Sequence, residues 1–204
     1  MNLEDLKIYL PKFLSSDSEK ELFKGLKDFP ENIDDRIYTS YLKDSSIIFQ
    51  GDGMNNFLVI NLPDSEIKKS PVMILSNTCD IDAGNLRNFP SQIVYAPIFN
   101  LKKYHETLKK NSQKTEEQIS AHIKAIKNQN ITQIFFLPKY GLQLEDSIVF
   151  LDRLNNIQNS QIVKNEIAND KIFTLSNYGY YLFLFKLSIH FTRIQDNIDR
   201  SKRI

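Results

Sequence analysis

Hydrophobic residues spaced three and four positions apart mark the first predicted helix. Leu22 and Leu26 fall on one helical stripe within a polar segment, which predicts a helix from about Asp17 to Asp28. Ser16 and Glu19 have the spacing of a capping box, in which both side chains satisfy free backbone N–H groups at a helix start. The mixed, polar residues that follow, up to Ser46, are predicted to be a connector or partly helical.

Short, unbroken apolar runs then replace the helical spacing, as is typical of strands inside a sheet. Strands are predicted at residues 46–49, 57–62, 71–76, 92–98, 131–137, 147–151 and 172–175. The glycines and asparagines of Gly51 to Asn56 predict a turn that joins the first two runs, as a hairpin or as successive strands. The polar segment 152–170 is predicted to be a loop or a helix.

Two regions return to helical spacing. Residues 101–128 are rich in Lys, Glu and Gln and carry isoleucines at helical intervals, which predicts one or two exposed helices inserted between strands. Ser176 is placed to cap a long terminal helix that extends to about Asp196. The first half of this helix is apolar on nearly every face, so we expect it to be buried against the sheet.

These elements predict one domain over residues 1–204. It has an N-terminal helical extension (1–46), a mainly β core (47–175) with a helical insertion at about 101–128, and a C-terminal helix and tail (176–204). The fold class is therefore α+β.

Composition and charge narrow the possible functions. The chain has 204 residues, of which 41% are hydrophobic and 25% charged, as in globular proteins with a real core. Its 26 Lys and Arg nearly balance 25 Asp and Glu, so attraction to nucleic acid or membrane would need a local patch. One cysteine, an N-terminus without a basic leader and the lack of a long apolar run predict a soluble, cytoplasmic protein.

Between Gln50 and Ile98, several short motifs follow one another in a distinctive order. They are Gly51-Asp52, a strand ending in Leu62-Pro63, Ser65-Glu66, Pro71 before a strand ending in Ser76-Asn77, and Ala96-Pro97-Ile98. This order resembles the MazF/PemK family of toxin ribonucleases over about 50 of the 204 residues. The resemblance implies a small, strongly bent SH3-like β-barrel, to which the helices are additions.

The resemblance also implies a function. In that family an arginine before the proline supports acid–base chemistry on RNA, and a Thr or Ser entering the third strand binds the phosphate; the corresponding residues here are Ser70 and Gln92. We expect an RNA-binding protein or a metal-independent endoribonuclease with no cofactor, whose catalytic residues would be Lys68, Lys69 and Ser91. The expected substrate-binding residues are Asp52, Ser70, Asn77, Thr78, Asp80, Arg87 and Gln92.

The alternative is a non-catalytic protein-interaction module of a toxin–antitoxin or phage-defence system. Serine at position 70 cannot supply the fixed cationic fork of an arginine, and the near-neutral net charge favours the same alternative. The expected partners are single-stranded RNA in the first case and an antitoxin or another protein in the second. A homodimer is compatible with both, and no membrane partner is expected.

The segment from Ser76 to Asp82 is also similar to uncharacterised bacterial proteins in which a strand ending in Ser runs into a Cys-Asp-Ile loop. Cys79 is interpreted as a small buried hydrophobic residue and Asp80 as the cap of a turn. Two alternatives stay open. Cys79 with Asp80 could act as a nucleophile, or Asp52, Asp80 and Asp82 could bind a hard divalent cation in a hydrolase.

The histidines and the lysine-rich segment complete the set of candidates. The histidines lack zinc-ligand spacing; His122 is predicted to pack in the interior, and His190 to pair with Arg193. A basic cluster beside Tyr104 is predicted to be a solvated helix face, with a base-stacking groove as the alternative. Its members are Lys102, Lys103, Lys109, Lys110 and Lys114.

Overall fold

The computed structural model describes residues 16–31, 33–42, 44–82, 84, 88–162 and 167–192. Within these ranges the strands are β1 (Tyr38–Thr39), β2 (Gly53–Asn61), β3 (Asp64–Ile74), β4 (Gln92–Asn100), β5 (Ile134–Leu137), β6 (Ser147–Phe150), β7 (Asn155–Gln158) and β8 (Lys171–Leu175). The α-helices are α1 (Ser16–Lys27), α2 (Thr78–Ile81), α3 (Leu101–Asn111), α4 (Glu116–Lys127), α5 (Ile167–Asp170) and α6 (Asn177–Thr192). Short 3₁₀ helices occur at Asp35–Ile37 and Asn159–Gln161.

The strands form one sheet in the order β1-β8-β2-β3-β4-β6-β5, and β7 adds to β4. All pairings among these strands are antiparallel. The predicted α+β class is confirmed. The finer expectation, an SH3-like barrel of the MazF/PemK type, stays a prediction.

Alternating side chains along the strands build cores on both faces of the sheet. On β5, Phe135 and Leu137 join one core while Ile134 and Phe136 join another, because successive residues of a strand point to opposite faces. The first core lies under α1 and α6, and the second lies under α3 and α4. A third, smaller core fills the second face beside β2, β3 and β7.

The predicted helices are confirmed within the described residues. α1 matches its predicted span, the insertion forms α3 and α4, and Ser176 caps α6 by accepting a hydrogen bond from the N–H of Gly179. Any side chain at Gly179 would collide with the backbone carbonyl of Ile37, so glycine lets α6 pack directly against the chain before β1. The capping-box side chains of Ser16 and Glu19 lie outside the described residues.

The hairpin differs from the prediction. Residues 46–49 are irregular, the expected turn at 53–56 is part of β2, and the chain reverses at Leu62 and Pro63 instead. Asn56 has a φ of 64°, and the pairing of β2 with β3 shifts between Met54 and Phe57. The residues that suggested a turn therefore form a bulge within a long strand.

The polar segment 152–170 also differs, because it contains strand β7. Its residues pair with β4 from Gln92 to Tyr95. Only Asn155 of β7 is fully buried, so the strand lacks the apolar run by which the other strands were predicted.

Candidate functional site

The hairpin of β2 and β3 carries three of the predicted site residues, Lys68, Lys69 and Ser70. Lys68 pairs with Val59 across the strands, Lys69 with Leu58 and Ser70 with Phe57. Because neighbouring residues of a strand point to opposite faces, Lys68 and Lys69 lie on different sides of the hairpin. The structure does not bring the two predicted catalytic lysines together.

Each lysine has its own surroundings. Lys68 is exposed and its Nζ lies 2.8 Å from Glu66 Oε2. The hydrogen bond to Glu66 raises the pKa of Lys68, which favours the protonated ammonium that cannot accept a proton. Lys69 lines a shallow groove of about 260 Å³ together with Leu58, Ile157 and other residues. Ser70 is half-buried, and its hydroxyl donates to the carbonyl of Pro71.

Ser91 and Gln92 lie at the start of β4. The carbonyl of Ser91 accepts a hydrogen bond from the N–H of Asn159, at 2.9 Å. Gln92 is exposed and pairs with Gln158 of β7. Both residues therefore help to attach β7 to β4 through the backbone.

The segment after β3 folds into the single turn α2. Asn77 caps it by accepting a hydrogen bond from the N–H of Cys79, and Thr78 Oγ1 accepts from the N–H of Gln50. Asp80 lies within the turn and is half-buried. The residue that caps the turn is therefore Asn77, and not Asp80 as predicted. Cys79 is exposed, which corrects its interpretation as a buried residue.

Asp52 is fully buried and does not line a surface that a substrate could reach. Its carboxylate lies 3.0 Å from Lys171 Nζ, and both side chains have no exposed surface. The N–H of Phe49 also donates to Asp52 Oδ2, at 2.9 Å. Burial raises the pKa of Asp52, and the charge of Lys171 lowers it in part. The contacts of Asp52 are those of a structural residue, contrary to its predicted role in substrate binding.

Lys171, which the sequence analysis did not single out, completes this buried site. Its ammonium donates to the carbonyl of Ile47 at 2.8 Å and lies 5.0 Å from the centre of the Phe49 ring. It thereby ties β8 to the irregular segment 46–49. The only signal in the sequence is a lysine directly before the apolar run 172–175.

A second buried lysine, Lys186 in the middle of α6, was also missed. Its Nζ donates to the backbone carbonyls of Gln129, at 2.7 Å, and Ile131. Burial lowers the pKa of Lys186 to about 8. The side chain of Gln129 in turn bonds both the N–H and the C=O of Phe136, so this cluster joins α6, the end of α4 and β5.

His122, predicted to be a packing residue, is half-buried beside Tyr104. Its Nε2 lies 3.1 Å from the hydroxyl of Tyr104, and burial lowers the pKa of His122. Tyr104 also packs against Phe150, so its ring is not free for base stacking. The five clustered lysines are exposed, as predicted for a solvated helix face.

His190 packs edge-on against Phe191, and Arg193, its predicted partner, lies outside the described residues.

No metal-binding cluster is found in the part of the chain that the structure describes, since no three of its His, Cys, Asp or Glu residues converge. Asp52, Asp80 and Asp82 do not form the possible cation site of a hydrolase, because Asp52 is buried against Lys171. Arg87, the remaining predicted substrate contact, lies outside the described residues.

Among the described residues, no helix has the length and apolar character needed to cross a membrane.

The hairpin also presents an exposed aliphatic face. Leu58, Ile60 and Ile67 are 45%, 38% and 61% exposed. Ile60 lies directly opposite Ile67, and Leu58 opposite Lys69, so the three aliphatic side chains share one side of the hairpin. Apolar side chains grouped on one exposed face are characteristic of interaction surfaces.

The outer edge of β3 is open beside this face. Among the described strands, β4 pairs with β3 only from Val72 to Ile74, and beyond Pro97 it pairs with β6. Residues 64–69 of β3 are all exposed. An open strand edge presents backbone N–H and C=O groups to which another extended chain can bind.

The backbone of β2 shows which groups on this edge are free for pairing. The carbonyl of Leu58 accepts from the Tyr95 hydroxyl, and the N–H of Ile60 donates to Asn155 Oδ1, at 2.8 Å. These groups therefore point away from β3. In an antiparallel pair the residues opposite them, Lys69 and Ile67, also direct their backbone groups outward.

Comparisons with known proteins do not assign this chain to a family. No protein-family model matches this chain, and no curated protein matches it significantly. The MazF/PemK resemblance therefore depends on the short motifs between Gln50 and Ile98 alone and stays a prediction.

Proposed function

We propose that this protein is a non-catalytic interaction module and that the β2–β3 hairpin is its docking element. The observation that carries the proposal is the combination, in one hairpin, of an aliphatic face and an open strand edge. Leu58, Ile60 and Ile67 are exposed together, and the backbone of Ile67 and Lys69 is oriented for pairing with an added strand.

The arrangement of the predicted catalytic residues supports the same proposal. Acid–base catalysis needs groups that reach one substrate from compatible directions. Lys68 and Lys69 point to opposite sides of the hairpin, and Lys68 is paired with Glu66. Among the described residues, the predicted catalytic lysines are therefore not arranged to act together on one RNA substrate.

Site-specific photo-crosslinking tests the docking element. A photoreactive amino acid replaces Ile67 in one variant and Leu142 in a control variant, since Leu142 is also exposed but lies in the turn between β5 and β6. In cells that express the protein, we expect protein adducts at position 67 and not at position 142. Equal labelling at both positions, or none at either, would overturn the proposal.

A nuclease assay tests the other half of the proposal. The purified protein is incubated with single-stranded RNA beside a Lys68→Ala/Lys69→Ala variant. We expect the RNA to stay intact with both proteins. Fragments with 2′,3′-cyclic phosphate ends that appear with the wild type and disappear with the variant would show that the module is an enzyme.

A further inference from the structure

We propose that the strand added to the open edge of β3 is β3 of a second copy of this chain, paired antiparallel with Ile67 facing Ile67. This inference rests on the proposed function and names its partner. An edge that pairs with itself does so about a twofold axis, so each contact occurs twice.

The backbone restricts the possible registers. Ile67 and Lys69 direct their N–H and C=O groups outward, since Ile60 and Leu58 opposite them use theirs elsewhere. In an antiparallel pair, residues with outward groups must face each other. Outward groups at these two residues therefore allow three registers: Ile67 opposite Ile67, Ile67 opposite Lys69, or Lys69 opposite Lys69.

Charge selects between these registers. With Ile67 opposite Ile67, Glu66 of each copy lies opposite Lys68 of the other, in the non-hydrogen-bonded positions where side chains approach most closely. Within each copy Lys68 already contacts Glu66 at 2.8 Å, so four charges alternate around the axis. In the second register Lys68 would face Lys68, and in the third Lys69 would face Lys69; like charges directly opposite each other are destabilising.

The aliphatic face supports the same register. Ile67 would contact Ile67 of the second copy, and Ile60 lies behind each of them as its cross-strand neighbour. The two exposed faces then become one apolar strip across the axis. Ile67, which is 61% exposed in the single chain, becomes the centre of the interface.

The interface is small, which limits its strength. A single pair of short strands buries less surface than a standard protein interface, so we expect a dissociation constant in the range of about 1 to 100 µM. Charged residues on the edge disfavour other pairings. The association should therefore be weak but specific in register.

Cysteine crosslinking tests the register directly. The variant Ile67→Cys is made in a Cys79→Ser background, because Cys79 is exposed. Facing residues in a hydrogen-bonded pair have Cα atoms about 5.5 Å apart, which suits a disulfide. Ile60→Cys is the matched control, since two copies of it would be separated by three strand spacings, about 14 Å. We expect oxidation to give covalent dimers with Ile67→Cys and few with Ile60→Cys.

Charge exchange tests the ion pairs. Sedimentation at several concentrations should show that Glu66→Lys and Lys68→Glu each weaken dimerisation by about tenfold, since two attractive pairs become repulsive. The double variant Glu66→Lys/Lys68→Glu should associate like the wild type. Lys109→Glu on α3, which makes the same change in net charge as Lys68→Glu, should leave association unchanged.

The outcomes separate this inference from the proposed function. A wild type that stays monomeric at all concentrations, equal crosslinking of the two cysteine variants, or a double variant that does not recover would each overturn self-pairing. If the chain is monomeric but position 67 crosslinks to a different protein in cells, the docking element stands and the second copy is excluded. If neither association occurs, both proposals fail.

Discussion

Among the residues that the structure describes, two lysines are buried, and they are stabilised in different ways. Lys171 in β8 faces the carboxylate of Asp52 at 3.0 Å, with both side chains fully enclosed. Lys186 in α6 is bound by the backbone carbonyls of Gln129 and Ile131. The first arrangement pairs opposite charges, whereas the second offers a cation only the partial charges of two peptide groups.

The difference should appear in how each lysine responds to mutation and to pH. Removing one member of a buried ion pair leaves the other charge without compensation. A lysine that has only carbonyl partners can instead lose its proton and keep donating hydrogen bonds. The pKa of Lys186, which burial lowers to about 8, reflects this second case.

The largest expected effect is that of Lys171→Met. The variant leaves the Asp52 carboxylate buried without its partner, so the free energy of unfolding should fall by about 3–5 kcal/mol. Urea denaturation followed by circular dichroism measures the change. The double variant Asp52→Asn/Lys171→Met should recover part of the loss. A single variant as stable as the wild type would contradict the assignment of this pair.

A pH series tests Lys186. Its pKa is about 8 in the folded chain and has a reference value of 10.5, so between these values the unfolded chain binds more protons and stability rises with pH. The rise attributable to Lys186 is at most about 3 kcal/mol. We expect it in the difference between the wild type and Lys186→Met, measured by denaturation from pH 7 to 10.5. Parallel stability curves would contradict the low pKa.

Two substitutions of Gln129 test the carbonyl cluster around Lys186. Gln129→Ala removes the side chain that bonds both backbone groups of Phe136, which should lower stability by about 1–3 kcal/mol. Gln129 has a φ of 58°, a conformation that glycine adopts without strain, so Gln129→Gly should be less destabilised than Gln129→Ala by about 1 kcal/mol. Thermal melts compare the two. If both variants lost the same amount of stability, the positive φ at position 129 would not contribute to the difference between alanine and glycine.

The smallest effect is expected at the exposed pair of Lys68 and Glu66. Both side chains are mostly in solvent, where ion pairs contribute little. Lys68→Gln and Glu66→Gln should therefore melt at the wild-type temperature at concentrations where the chain is monomeric. A marked loss of stability would mean that the hairpin charges support the fold, in contrast to the buried lysines.

The sequence predicted the elements that have strong local signals. The apolar stripe of Leu22 and Leu26 indicated α1, the unbroken run 92–98 indicated β4, and Ser176 correctly predicted the start of α6. The strand β7 and the long hairpin were missed because their residues are polar or turn-forming. β7 is held by pairing with the distant strand β4, whereas β2 and β3 pair with each other across the turn at Leu62 and Pro63.

The candidate site was less accessible to sequence analysis. Lys68 and Lys69 were predicted as catalytic residues, but they lie within β3, and the geometry of that strand, which was not predicted there, directs them to opposite sides of the hairpin. Asp52 was assigned to substrate binding because Gly51-Asp52 is one of the motifs of the MazF/PemK resemblance. Its burial depends on Lys171, 119 positions away by residue number.

The sequence by itself determined the α+β class, the helical insertion and the capped terminal helix, because these depend on periodicity and capping over a few residues. The tertiary structure alone decided which polar residues are buried and which strand edge stays open. Asp52 meets Lys171, and Lys186 meets the carbonyls of Gln129 and Ile131, only when distant segments pack. The edge at Ile67 is open because the pairing of β4 with β3 ends at Val72 and Pro97, after which β4 pairs with β6 and the chain enters α3. Such contacts leave no local pattern, since the interacting groups are separated in the chain and become neighbours only in the folded state.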